Sequence, residues 1–238
     1  MVGFPRYAIY YAPTRDSVLD RFGAQLLGYD AWTEETLSFP GFATQAAPDW
    51  RELTQDPRKY GFHATLKAPM PLASGSTEAK LLAACSAFAE KPRAIPVIIP
   101  AVSAISGFVA VVPSARSREL EQLAADCVIE LDCFRAPLTP EDRTRRNPSG
   151  LTPRQREFLD LWGYPYVMEE FRFHMTLTGR LDAARRAPIL AMLQSRFSEL
   201  GIAQLAIDRI ALFRQDDASS RFRVMSQWRL RNVDRVTS

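Results

Sequence analysis

The chain has 238 residues, 47% of them hydrophobic, with a formal net charge of +3 at pH 7. That charge is too small for a general nucleic-acid binder, and no apolar run reaches the roughly twenty residues that span a bilayer. Cys85, Cys127 and Cys133 are odd in number and lack metal-ligand spacing, which excludes a disulfide framework and a cysteine zinc site. Met1 to Tyr11 carries Arg6 and leads into a strand pattern, unlike a signal peptide, so a cytoplasmic location without a membrane partner is expected. Nothing in the pattern sets the oligomeric state.

In chain order, Arg6 to Pro13 reads as an aromatic-rich strand, and Thr14 or Asp16 can cap a helix carrying Val18, Leu19, Phe22, Leu26 and Leu27 before Gly28. Ala31 to Pro57 has no sustained period and reads as a connection with little regular structure. Lys59 to Lys67 alternates as a strand, Glu78 to Lys91 has a helical apolar face, and Ile95 to Ile105 with Gly107 to Pro113 form a hairpin broken at Ser106-Gly107. Arg116 to Phe134 predicts the most regular helix. Arg135 to Tyr166 is Pro-rich, and from Arg135 to Arg156 it sets six arginines against Glu141 and Asp142, either a solvated connection or a basic lid. Within it, Leu151 to Trp162 suggests a helix capped by Thr152 with Pro153 in its first turn. A strand over Phe171 to Thr178, a helix over Asp182 to Leu200 and strands over Ile207 to Arg214 and Phe222 to Leu230 complete the chain.

The two alternating strands that follow the long connections hold the protein's two histidines, each followed two residues later by threonine and then leucine. In the first, Phe62, Ala64 and Leu66 face the core, leaving His63, Thr65 and Lys67 on the polar side. In the second, Phe171, Phe173, Met175 and Leu177 face inward, leaving Arg172, His174, Thr176 and Thr178 outward. The halves at about 6–113 and 107–230 read alike, so the expectation is one bilobal domain over 1–238 in which the two polar stripes face each other across a cleft. Two imidazoles supply a base and an acid near neutral pH, one of them kept protonated, and in-line displacement at phosphorus uses both at once. Each threonine hydroxyl can donate to a non-bridging phosphate oxygen, and Lys67 and Arg172 have the parity to add positive charge.

The pair His63-Ala64-Thr65-Leu66 and His174-Met175-Thr176-Leu177 resembles the motifs of the 2H phosphoesterases, the superfamily that includes 2'-5' RNA ligase-like proteins and cyclic nucleotide phosphodiesterases. Phe134 to Leu138, Leu151 to Gln155, Trp162 to Tyr166 and Glu170 to His174 resemble more narrowly the DUF1045 branch, proteins linked to phosphonate-utilisation operons. The resemblance implies an α+β bilobal fold, two antiparallel sheets flanked by helices around a central cleft. It also implies catalysis without metal or other cofactor, and opening of a small cyclic phosphodiester; since phosphonate breakdown makes a phosphoribosyl cyclic phosphate, a related sugar phosphate is an attractive substrate. His63, His174, Thr65 and Thr176 are then catalytic, and Lys67, Arg172 and Thr178 bind substrate. Arg143, Arg145 and Arg146 of the insertion at about 135–166 would bind a second phosphate and so favour a sugar phosphate over RNA.

Three rivals share this pattern. A zinc hydrolase lacks a third ligand, since neither strand carries a carboxylate or thiol on its histidine face. A module binding a phosphate ligand or RNA without turnover would keep the cleft, and 2'-5' RNA ligation would run the same acid and base in reverse.

Overall fold

The structure is a computed structural model that describes residues 3–233. Its architecture is α+β, with two antiparallel sheets flanked by helices. We name its strands β1 (Arg6–Tyr11), β2 (Ala64–Pro71), β3 (Val97–Ile98), β4 (Pro100–Ile105), β5 (Phe108–Pro113), β6 (Met175–Thr176), β7 (Leu205–Ala206), β8 (Arg209–Gln215) and β9 (Arg223–Arg229). Seven of them form one sheet in the order β4-β5-β6-β2-β1-β8-β9, while β3 and β7 pair separately. The helices are α1 (Val18–Leu27), α2 (Gly41–Ala46), α3 (Trp50–Leu53), α4 (Gln55–Arg58), α5 (Glu78–Glu90), α6 (Arg118–Glu130), α7 (Pro140–Arg145), α8 (Pro153–Trp162) and α9 (Ala183–Ser198).

Strand alternation assigns the two faces of the large sheet. Tyr7, Ile9, Tyr11, Ala64, Leu66, Val109, Val111, Met175, Ile210 and Leu212 point to one side, where residues of α1, α5, α6 and α9 complete the main core. Ala8, Tyr10, Ala211 and Phe213 point to the other, beneath Tyr29, Ala31 and Phe222. The polar residues at the middle of that second face are therefore roofed only in part, which leaves room for a cleft.

Local signals place the elements. Ser17 accepts a hydrogen bond from the Asp20 backbone N–H to start α1, and Gly28 closes it at φ 69°. Thr152 and Gln155 form a reciprocal capping box on α8, with Pro153 following, as the sequence predicts. Ser106 and Gly107 take φ of 47° and 99° and turn β4 into β5 with Ile105 opposite Phe108.

Ala31 to Pro57 departs from expectation, since it carries three short helices. Trp50 anchors them by burying its ring fully and donating from Nε1 to the Leu26 carbonyl at 2.8 Å. Such short turns are held by tertiary contacts, and four to six residues are too few to show a helical period. Ile95 to Ile105 also divides, with β3 leaving for the small sheet before β4 begins at Pro100 on the edge of the large one.

Gly23 on α1 faces the ring of Phe62, the residue before His63, and a Cβ there would fall 2.0 Å from the Phe62 Cγ. Gly23→Ala should therefore cost about 1–3 kcal/mol by overpacking, measured as a lowered denaturation midpoint. An unchanged midpoint would contradict this packing of α1 against the first histidine segment.

Candidate active site

The two histidine segments meet at the centre of the large sheet, where β2 pairs with β6 through Ala64 opposite Met175. Continuing that antiparallel register one residue each way sets His63 beside Thr176 and Thr65 beside His174. Neighbouring positions of this kind hold Cβ atoms about 5 Å apart, and the diagonal between the two histidines is roughly 7–8 Å. The stripes, expected to face each other, run side by side.

Each imidazole is fixed by the same local device. His63 Nδ1 lies 2.9 Å from the Gly61 carbonyl oxygen and His174 Nδ1 lies 2.7 Å from that of Arg172. A carbonyl only accepts, so Nδ1 carries the proton in both rings and Nε2 is the free, basic nitrogen. Gly61 can bend its carbonyl back in this way because it sits at φ 73°, and a Cβ there would lie 2.8 Å from that of Ala31.

The same device shortens both strands. The Gly61 and Arg172 carbonyls serve imidazoles, and that of Phe171 accepts from Arg172 at 2.7 Å, so these oxygens are withdrawn from ladder pairing. Hence β2 begins at Ala64, and the second strand, expected over Phe171 to Thr178, is regular only at Met175–Thr176.

His63 stacks on Tyr10 with ring centroids 3.8 Å apart, and its Nε2 is 3.4 Å from the Thr65 hydroxyl. Burial, with a smaller contribution from His174, pushes the His63 pKa down to about 4 even though the Gly61 hydrogen bond acts the other way. Burial likewise lowers His174, opposed by its bond to the Arg172 carbonyl. Burial thus favours the neutral form of both rings at pH 7, whereas the sequence reading expects one of them protonated.

His63, Thr65, His174 and Thr176 all line a cleft of about 630 Å³. Arg145 and Arg146 also reach it from the end of α7, the first paired with Asp142 and the second lying over the Tyr164 ring at 5.1 Å. Four other expected substrate-binding residues need correction. Lys67 is buried away from the cleft, donating to Asp132 at 2.8 Å and the Val128 carbonyl at 3.1 Å. The cause is a bulge: Tyr10 pairs with Thr65 but Ile9 with Lys67, so Leu66 is an extra residue that reverses the parity. Arg172 folds back onto the carbonyls of Glu169 and Phe171 and stays exposed outside the cleft. Thr178 lines the cleft, but its hydroxyl accepts from the Val109 N–H and donates to the Gly179 carbonyl, so it secures β5 to β6. Arg143 pairs with Asp160 of α8 at 2.6 Å, outside the lining.

Sequence reasoning missed Arg6, Tyr10, Lys59, Tyr60, Tyr164 and Arg180, all of which line the cleft. For Arg6 and Tyr10 a signal was present: they share one parity on β1, opposite to Tyr7, Ile9 and Tyr11. The lining thus gathers Arg6, Lys59, Arg145, Arg146 and Arg180 against one carboxylate, Asp56. That excess of cations gives the cleft a positive field. Among the described residues no three His, Cys, Asp or Glu side chains come together as a metal-binding group, and no helix is long and apolar enough to cross a membrane.

Comparison with known proteins adds relatives and a family. The chain is 36% identical over 218 residues to "Ribose 1,5-bisphosphate phosphokinase PhnN" of Janthinobacterium sp. (strain Marseille), covering 89% of this chain and 48% of that protein. It is 32% identical over 219 residues to the protein of the same name in Laribacter hongkongensis (strain HLHK9), covering 92% and 50%. The chain spans about half the length of the curated relatives it matches. Among solved structures, E. coli LigT complexed with ATP aligns with 16% identity and a TM-score of 0.39, over 96% of this chain and 99% of that one. LigT complexed with 3'-AMP aligns with 13% identity and a TM-score of 0.38, over 95% and 98%. The family "Protein of unknown function (DUF1045)" matches residues 65–223. That span starts at Thr65 on the first histidine strand and runs through the basic insertion and His174 to the last strand of the sheet, and on this match the chain belongs to the DUF1045 family.

Proposed function

We infer that the cleft opens a cyclic phosphodiester of a sugar or nucleotide by acid–base hydrolysis. The observation that carries this reading is the pair of imidazoles, each with Nδ1 tied to a carbonyl so that Nε2 is the basic nitrogen, each with a threonine two residues further on that also lines the cleft. One Nε2 takes a proton from water as its oxygen attacks phosphorus. The bond from phosphorus to one ring oxygen breaks, and the other imidazole, protonated when the anion binds, gives its proton to that oxygen. Thr65 and Thr176 donate to the non-bridging oxygens as charge gathers there. Every proton and charge in this sequence is handled by the chain's own side chains.

The names of the half-matching relatives concern a ribose phosphate, which agrees with a sugar-phosphate ligand and a place in phosphonate metabolism. The kinase activity in those names we assign to the half not matched here. This sequence contains no Gly-Lys pair and hence no G-x-x-x-x-G-K-[ST] phosphate loop. The test is turnover of a panel of 2',3'-cyclic nucleotides and a ribosyl 1,2-cyclic phosphate with excess chelator present. Hydrolysis to a monoester is the expected result. Tight binding without turnover of any compound would replace the hydrolase with a binding module.

A pH prediction follows from the lowered histidines. Sulfate stays dianionic across the working range, so its affinity reports the protein's own protons. It should tighten as pH falls from 8 toward 5, by up to about tenfold per pH unit for each proton taken up. The gain should level off as pH nears the free His63 value of about 4, where the empty protein is already protonated. Calorimetry in buffers of different ionisation enthalpy would count the protons, and pH-independent affinity would contradict the coupling.

A further inference from the structure

We propose that Arg6, with Arg145 and Arg146 beside it, forms a second anion subsite that selects a compact ligand carrying a phosphate monoester in addition to its cyclic phosphodiester. The proposal rests on the phosphodiesterase reading above and names the substrate class of the same cleft.

Arg6 opens β1 on the face that also carries Tyr10, and its guanidinium is held in place without being neutralised. Its Nε donates to Gln215 Oε1 at 2.9 Å and its Nη2 donates to the same oxygen. Gln215 is fully buried, and its Nε2 donates to the Ser220 carbonyl at 2.7 Å, which fixes the oxygen end toward Arg6. The Phe222 ring lies 5.4 Å from the guanidinium carbon. Three of the five N–H donors remain for a ligand, on a rigid fork whose partner is a neutral amide.

Of the neighbours, Arg145 is paired with Asp142, while Arg146 adds charge that no carboxylate among the described residues offsets. Among the described residues neither Arg6 nor Arg146 forms an ion pair, and both line the cleft beside Arg145. Burial lowers the Arg6 pKa, and the positive charges of Arg145 and Arg146 lower it further against the opposing influence of Tyr60 and Tyr10. Cations gathered in a partly dry cleft repel one another until an anion fills the space between them. A phosphate monoester, dianionic and suited to bidentate arginine contacts, relieves more of that repulsion than a monoanionic diester.

The spacing suits a small spacer. Arg6 and Tyr10 are four residues apart on one strand, about 13 Å between Cα atoms, and the Tyr10 ring stacks on His63. The Arg6 guanidinium carbon lies 5.4 Å from the Phe222 ring, whose centroid is 6.2 Å from that of Tyr10. A ligand reaching from the histidines to Arg6 therefore spans a distance of the order of a sugar ring and its phosphate.

The experiment compares kcat/KM for 2',3'-cyclic AMP and for the same compound bearing a 5'-phosphate. Wild type should prefer the phosphorylated compound by about 10- to 100-fold, the scale of one or two charge-assisted hydrogen bonds. Arg6→Gln and Arg146→Gln should each bring the ratio toward one through KM, while Arg143→Gln, altered outside the cleft, should keep the wild-type preference. Circular dichroism verifies the fold, and the half-buried Arg146, which follows α7, provides a variant if Arg6→Gln fails to fold. No preference in wild type, or an unchanged preference in both cleft variants, would overturn the proposal. So would a stronger preference for a trinucleotide ending in a cyclic phosphate, which would assign the arginines to an RNA strand. If neither nucleotide is hydrolysed, the phosphodiesterase reading fails and ribose 5-phosphate binding decides the subsite separately. Binding lost in Arg6→Gln and Arg146→Gln but kept in Arg143→Gln supports it, and equal binding in all four proteins overturns it.

Discussion

His63→Ala and His174→Ala should each lower kcat on a cyclic phosphodiester by about 10²- to 10⁴-fold, the range for loss of a positioned acid or base. The two losses should not add, because the rings act on one phosphorus and removing either leaves its partner without a coupled proton transfer. The double variant should therefore be only slightly slower than the worse single one. Both rings lie at the cleft face and are tied by one local hydrogen bond each, so the variants should keep the wild-type fold by circular dichroism. Single variants that retain more than a tenth of the wild-type kcat would remove the histidines from the chemistry.

The second large effect is on stability, and it concerns the anchoring of the basic insertion. Asp132 accepts from Lys67 at 2.8 Å and from Arg135 Nε and Nη2 at 2.8 Å each, while Arg135 also donates to the Leu161 carbonyl at the end of α8. Lys67 is only 3% exposed, so its ammonium depends on this carboxylate and on the Val128 carbonyl. Burial lowers the Lys67 pKa and the bond to Asp132 opposes that; burial would raise Asp132, but the bonds from Arg135 and Lys67 outweigh it and lower it.

Asp132→Ala strands a buried cation and should cost about 3–5 kcal/mol. Lys67→Met leaves Asp132 paired with Arg135 and should cost markedly less. The double variant should be more stable than Asp132→Ala alone, because it removes the stranded charge. Denaturant midpoints of the four proteins measure this cycle, and a double variant destabilised by the sum of the single effects would contradict the pairing.

The site was legible in the sequence where its signal was local. Strand parity and a repeated two-residue spacing were enough to place both His-x-Thr pairs on one polar surface. Where the backbone left its ladder, parity failed. One extra residue at Leu66 turned Lys67 to the helical side, and a side chain bonding to its own segment's carbonyls took Arg172 out of the cleft. Arg6 was missed for a different reason. The interactions that orient it come from Gln215 and Phe222, more than two hundred residues away in sequence, and only the pairing of β1 with β8 brings them together. The fold followed the same division. Capped helices and the Ser106-Gly107 hairpin were written in adjacent residues, whereas the short helices between Ala31 and Pro57 exist because Trp50 and Arg58 bond to the carbonyls that end α1.

The most direct test of the two-histidine hydrolysis is one reaction in water enriched in heavy oxygen, followed by phosphorus NMR and mass spectrometry. It would compare wild type with the His63→Ala, His174→Ala double variant on 2',3'-cyclic AMP, with chelator in both samples. The account predicts that wild type converts the cyclic diester to a monoester bearing one heavy oxygen on phosphorus, while the double variant leaves the diester unchanged at the same enzyme concentration. Equal conversion by the double variant, or heavy oxygen on carbon, would contradict it.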